Sequence, residues 1–361
     1  MVWAAKEEQP QRSAEIKETD KSAVPQRVSC LTMEVQNGAE LCFPQLLNNS
    51  CWKPKLHWSK AVLLNTVLSF ISLITVVLNL LVIISVSHFR QLQKPTNILL
   101  LSLAVSDFLV GFLLIPVEIF RGTACWLFGD GICTLYSYVA CVVLSASIGN
   151  IVLISIDRYV AICNPLHYPT KITVTRVKFC VCLCWLLYVL YIILFLRDEL
   201  IQSGRSNSCI GECELSITYT TGTVDLFISF LFPVTIIIVL YMRVFVVAVS
   251  HARAMRSHVT AVTLQHSVKL KTTKSELKAA RTLGVLVIVY LICWCPYYCY
   301  SFVKVDLTST SYASFLFFLF YLNSCVNPVI YALFYPWFRK AVKLIATLQI
   351  LQPDSCEANI L

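Results

Sequence analysis

Two aspartates lie inside long apolar runs of this chain: Asp107 in LSLAVSDFLVG and Asp225 in TGTVDLFISFLFP. A carboxylate in such surroundings can do ionic chemistry, holding a metal cation or an ammonium group. Aspartate, with an ordinary pKa of about 3.9, is ionised at neutral pH, where a primary amine is protonated. At about 4 Å and an effective dielectric of about 20 the two attract by about 4 kcal/mol before desolvation, enough to dominate recognition of a small ligand. Ser229 follows Asp225 at i+4 and shares its helical face. Asp225 precedes Pro233 by eight residues, about 12 Å along a helix. The competing reading of Asp225 is a helix-end acid facing water. Covalent chemistry has little support, because only 6 histidines occur and neither a histidine-rich metal cluster nor paired carboxylates stand near one run.

Other polar residues are spaced through the apolar runs. Asn323, Asn327, Pro328 and Tyr331 fall in NSCVNPVIYALFYPWF. Buried amides and a helix-breaking proline are costly in hydrocarbon unless neighbouring helices satisfy them, so this run belongs inside a bundle. Asp107 at bilayer depth costs about 2.5–3.5 kcal/mol on insertion scales and needs a polar interior too. Asp157-Arg158-Tyr159 closes another run, Arg158 standing 25 residues after Cys133. As a helix that is about 37 Å, enough to join the two membrane faces. In Cys293-Trp294-Cys295-Pro296 the proline removes a backbone donor and makes a hinge, and Pro233 kinks the preceding run likewise.

Membrane helices must position these groups. The 361 residues are 57% hydrophobic and 14% charged, with mean hydropathy +0.72, against about 25% charged in soluble domains. Apolar stretches fall at 59–88, 95–121, 132–156, 178–196, 222–249, 279–303 and 311–335. Roughly 20 residues span hydrocarbon as a helix, so each suffices, the fourth being the shortest. The expected fold is an all-α membrane protein: an extracellular segment at 1–58, a seven-transmembrane bundle at 59–335, and an amphipathic helix with a short cytoplasmic tail at 336–361.

Loops after the first, third and fifth spans are basic (Arg90 and Lys94; Lys171, Arg176 and Lys178; Arg253, Arg256, Lys269, Lys271 and Lys274), as is the tail, with Arg339, Lys340 and Lys343. Opposite loops carry acids such as Glu199, Glu212 and Glu214. The positive-inside rule puts the amino terminus outside and the tail in the cytoplasm. The net charge of +9 is therefore mostly topology; the charges flank spans in contact with membrane lipid and form no single basic face for nucleic acid. Asn48 opens a glycosylation tripeptide on the expected outside.

Of 17 cysteines, Cys30, Cys42, Cys51, Cys125, Cys133, Cys209 and Cys213 face the expected exterior and can bridge, in a connectivity that sequence does not fix. Cys180, Cys182, Cys184, Cys293 and Cys295 lie within spans and are expected to pack as small hydrophobes. A channel or transporter would also explain buried Asp107, though no repeated broken helices or filter loop is evident.

The run N-S-x-x-N-P-x-x-Y, with the Asp-Arg-Tyr and Cys-Trp-Cys-Pro motifs, resembles the rhodopsin-like G-protein-coupled receptors. Its continuation to Trp337-Phe338 is similar to the signature of trace amine-associated receptors, and the likeness covers about residues 40–345. The resemblance implies a plasma-membrane receptor, not an enzyme, that detects extracellular odorant amines and raises cyclic AMP through a stimulatory heterotrimeric G protein. It implies that Asp157, Arg158 and Tyr159 hold the inactive state, with Arg158 paired to Glu276, and that Tyr241 and Tyr331 take over on activation. Pro296, Asn327 and Pro328 complete that switch. Asp107, Asn79, Ser147, Asn323 and Asn327 match a sodium site; a polar network without an ion is the alternative, and no other cofactor is implied. The resemblance pairs Cys133 with Cys213 and suggests Cys51 with Cys209.

Amine receptors carry an aspartate in the third helix, 18 residues before the arginine; here that position is Ala140, and SYVACVVLS contains no acid. Ordinary amine recognition through this helix is excluded. Some fish trace amine receptors resemble this pattern, lacking the third-helix acid and keeping one in the fifth, so the ammonium would point toward Asp225 and Ser229. Matching positions supply Cys141 and Leu144 as floor beside Ala140. Trp294, Tyr297, Tyr298 and Tyr321 offer aromatic faces, where cation–π contacts are worth about 0.5–2 kcal/mol. Tyr290 replaces the usual phenylalanine beneath the tryptophan. Glu118, near the outer end of the second span, either meets a second amino group or faces water or a loop. A rhodopsin-like receptor for a non-amine ligand, with Asp225 incidental, remains beside this reading.

Overall fold

The computed structural model describes residues 4–6, 40–46, 50–53, 58–197, 210–213, 216–258, 284–299 and 310–360. Asn48, Cys209 and Glu276 lie outside the described residues, and with them the glycosylation site, the Cys51–Cys209 bridge and the Arg158–Glu276 pair. The spans run as α1 (Trp58–His88), α2 (Pro95–Thr123), α3 (Gly129–Cys163) and α4 (Val174–Phe195). Then come α5, built of Tyr219–Asp225, Leu226–Leu231 and Phe232–His258, α6 (Gly284–Cys299) and α7 (Thr310–Phe334). The chain bends by 102° into α8 (Pro336–Ala346), the expected amphipathic helix, with Trp337, Phe338 and Ala341 buried and Arg339 and Lys340 exposed. Two short strands, Ala4–Lys6 and Ser216–Thr218, pair in parallel.

Packing is inverted relative to a soluble bundle. On α1, Thr75, Asn79 and Ser85 are buried while Leu63, Phe70 and Leu73 are exposed, as expected where apolar lipid is the solvent and polar groups must find partners inside. α3 is central, packed against α2, α4 and α5. It exceeds the apolar stretch at 132–156 at both ends, because its first turn carries Asp130 and its last turns Asp157-Arg158-Tyr159. α4 is the most peripheral span: Cys180 and Cys182 are exposed on it, a correction to their expected packing. Apolar patterning gives no sign of the two π-helical turns, Val110–Leu114 in α2 and Leu226–Leu231 in α5. The first frees a carbonyl: Ser72 of α1 donates to Gly111 O at 2.7 Å.

At the Cys133 end the expected Cys133–Cys213 disulfide is present, together with a Cys42–Cys125 bridge that the family resemblance did not suggest. Cys51 is disulfide-bonded as well. Gly211 makes this junction possible. Its φ is +110°, and a Cβ there would lie 2.7 Å from the Cys42 Cβ. Trp126 N donates to Gly211 O at 2.8 Å and Cys51 N to Ile210 O at 2.9 Å, so three chain segments meet under the bridges.

Candidate functional site

Ala140, Cys141 and Leu144 from α3, Asp225 and Ser229 from α5, Trp294, Tyr297 and Tyr298 from α6, and Tyr321 from α7 all line one cavity. Its empty volume, counting space open to solvent, is about 650 Å³. Asp225 is 8% exposed, which overturns the reading of it as a water-facing helix-end acid. Its Oδ1 accepts hydrogen bonds from Ser229 Oγ at 2.6 Å and Tyr191 OH at 3.1 Å. Among the described residues no cation pairs with it, and it is the only acid lining the cavity. The π-helical turn begins at the next residue, and Ser229 lies within it; such turns inside α-helices often mark functional sites. Aromatic faces close the floor and wall: Trp294 and Phe320 at 4.2 Å between centroids, Phe230 stacked on Tyr298 at 4.3 Å. Tyr290 is fully buried 5.5 Å from Trp294.

Sequence reasoning missed Tyr136, Ser145, Ile148, Ile192, Phe195 and Phe320 in the lining. Tyr136 and Ile148 continue the i+4 series of Ala140 and Leu144 on α3, so helical periodicity could have found them. Ile192 and Phe195 stand on α4, which is apolar all round and marks no face. Tyr136 also links the cavity to Glu118, donating to Glu118 Oε2 at 3.3 Å. Glu118 is ion-paired with Arg121 at 3.0 Å, the side chains being only 16% and 12% exposed. It faces inward, not toward water or a loop.

Deeper in the bundle, Asp107 is fully buried. Asn327 Nδ2 donates to its Oδ2 at 2.8 Å, and Ser147 Oγ lies 3.5 Å from Oδ1 while donating to Ser106 at 2.8 Å. Asn79 donates to the carbonyls of Thr75 and Ser324. Asn323 is buried, and its Oδ1 has no partner among the described residues. Carboxylate, hydroxyl and unused amide oxygens suit a hard cation of sodium's kind, so the residues fit that group.

At the far end Arg158 Nε donates to Asp157 Oδ2 at 3.0 Å, and Nη2 donates to Thr96. Asp157 also accepts from Thr96 Oγ1 and from Tyr168 OH, both at 2.9 Å. Burial, then the Asp157 carboxylate, raises the Tyr168 phenol above its ordinary pKa, which keeps it a donor. Tyr331 is buried with its hydroxyl unpartnered among the described residues. Tyr241 packs over Gly284, where any Cβ would collide with its hydroxyl. Tyr159 packs against Ile162 and Val244. Pro296 and Pro328 both stand within helices, α6 and α7.

Residues 78–331 match the family model of the 7 transmembrane receptor (rhodopsin family). The chain is 36% identical over 339 residues to trace amine-associated receptor 13c of Danio rerio, covering 91% of this chain and 98% of that one. It is 37% identical over 333 residues to trace amine-associated receptor 7f of Mus musculus, covering 89% and 92%. With trace amine-associated receptor 6 of Homo sapiens the identity is 37% over 331 residues, covering 89% and 95%. The chain belongs to the trace amine-associated receptor family. This receptor is thus a multi-pass plasma-membrane protein of the rhodopsin class, which pairs a small-molecule ligand with a G protein, and it is not an enzyme. The Asp225 cavity and the Asp157–Arg158–Thr96 cluster lie toward opposite ends of α3.

Proposed function

We propose that this receptor detects extracellular odorant amines through Asp225 and raises cyclic AMP by way of a stimulatory G protein. The observation that carries the reading is a buried carboxylate held by two hydroxyls, with no cation beside it among the described residues, in an aromatic-lined cavity. An ammonium supplies the missing charge, and the aromatic faces take the apolar body of the ligand. With Ala140 where amine receptors keep an aspartate, the ligand lies reversed, its ammonium toward α5, as in the fish-type branch. The Cys133 end faces outside and the Arg158 end the cytoplasm, in keeping with disulfides at one and basic loops at the other. Asn48 carries glycan, and Cys51 pairs with Cys209. Asp107, Ser147, Asn323 and Asn327 hold a sodium ion that favours the resting state.

The test is a cyclic AMP response to a broad amine panel, comparing wild type with Asp225→Ala and Ala140→Asp at matched surface expression. A charge-assisted hydrogen bond contributes about 1.5–3 kcal/mol, so Asp225→Ala raises the effective amine concentration more than about tenfold. A response that survives Asp225→Ala sinks the assignment and turns attention to Glu118.

A further inference from the structure

Past α8 the chain folds back on itself. Residues 347–360 form two 3-10 turns, Gln349–Leu351 and Ser355–Glu357, and settle against the connection between α1 and α2. Ser355 Oγ lies 3.0 Å from His88 Nε2 and donates to Ile350 O at 2.6 Å. Glu357 pairs with Arg90 at 3.1 Å, and its carbonyl accepts from Gln91 Nε2 at 3.4 Å. The amide of Ile360 donates to Gln91 Oε1 at 3.4 Å. Ile360 is 0% exposed and joins the buried cluster that holds Phe89, Leu92 and Phe338.

Leu348 and Asp354 are the only non-glycine residues with positive φ among the described residues, at 57° and 60°. Such backbone is unfavourable for L residues, so the docked contacts must outweigh it. The connection they grip leads to the signalling cluster. Leu92 O accepts from Asn97 Nδ2 at 2.8 Å, and Asn97 follows Thr96, whose hydroxyl joins Asp157 and Arg158.

We propose that residues 347–360 are an autoinhibitory strap. Docked, the strap holds the α1–α2 connection and, through Asn97 and Thr96, keeps Arg158 on Asp157. By binding the resting arrangement more tightly it biases the two-state equilibrium against activation, and its release raises basal signalling. The proposal rests on G-protein coupling at the Arg158 end but not on any ligand.

The experiment uses the full-length receptor in lipid nanodiscs without ligand. It measures hydrogen exchange over residues 355–360 and receptor-stimulated nucleotide exchange on purified heterotrimers of each class. Wild type protects the Ile360 amide. Ile360→Asp removes the buried anchor and raises amide exchange more than about tenfold, with a clear rise in basal nucleotide exchange. Glu357→Arg acts in the same direction by at most about fivefold, as for an exposed ion pair, and Arg90→Glu in the same chain restores wild-type behaviour. Free exchange of residues 355–360 in wild type overturns the proposal, and so does strap release that leaves an active heterotrimer's basal turnover unchanged. Silence of every variant on every heterotrimer overturns the strap's role together with the coupling it rests on, so the two failures are distinct.

Discussion

The carboxylate of Asp225 is used asymmetrically. Both hydrogen bonds, from Ser229 and Tyr191, fall on Oδ1, which leaves Oδ2 for the ammonium proposed above. If the amine binds there as proposed, Tyr191 is a positioning residue, acting through Asp225. Tyr191→Phe keeps the ring and removes one hydrogen bond to a charged group, a loss of about 1.5 kcal/mol or more. The amine concentration–response curve should shift about tenfold to the right at unchanged surface expression, with Asp225 still required. No shift would mean that Ser229 alone fixes the carboxylate. Asp225 was legible in the sequence because a carboxylate in an apolar run is costly and so asks for a reason. Tyr191 was not, because a tyrosine in LLYVLYIILF follows no period that would single it out. Ala140 was legible by position alone, as the place where a charge is absent.

At the scale of elements, hydropathy revealed the spans because lipid demands length and apolarity, and it misjudged their ends where charged turns continue a helix. The last turns of α3 contain Asp157 and Arg158, which an apolar window discards although intrahelical hydrogen bonds carry on through them. The Cys133–Cys213 bridge was legible by family resemblance, but the Cys42–Cys125 bridge was beyond reach for another reason. Cys42 and Cys125 are 83 residues apart, and only the meeting of three segments at Gly211 brings them together. Closing a loop of that length restricts the unfolded chain, and such a bridge typically contributes about 2–4 kcal/mol. A receptor carrying Cys42→Ala together with Cys125→Ala should melt several degrees lower in detergent, read by a thermal-shift assay, while the Cys133–Cys213 bridge stays intact. An unchanged melting temperature would show that the amino-terminal segment is held by its other contacts alone.

Across the whole molecule, polar groups run from the Asp225 cavity to the Arg158 end, and several lack partners among the described residues: Trp294 Nε1, Tyr290 OH, Asn323 Oδ1 and Tyr331 OH. Buried orphans are unfavourable, so an ion, water or a second helix arrangement that satisfies them competes with the packing seen here. If sodium at Asp107 favours the resting state and an amine at Asp225 the active one, linkage requires each to weaken the other. Replacing sodium chloride by a large organic cation at equal ionic strength keeps screening constant. Amine affinity should then rise about fivefold or more, and Asp107→Asn should erase the difference without removing the amine site. Should the Asp107→Asn receptor keep the sodium response, the ion acts elsewhere and Asp107 belongs to a polar network that needs none. The resting state would then be held from the strap end, where release of Ile360 has no reason to depend on sodium.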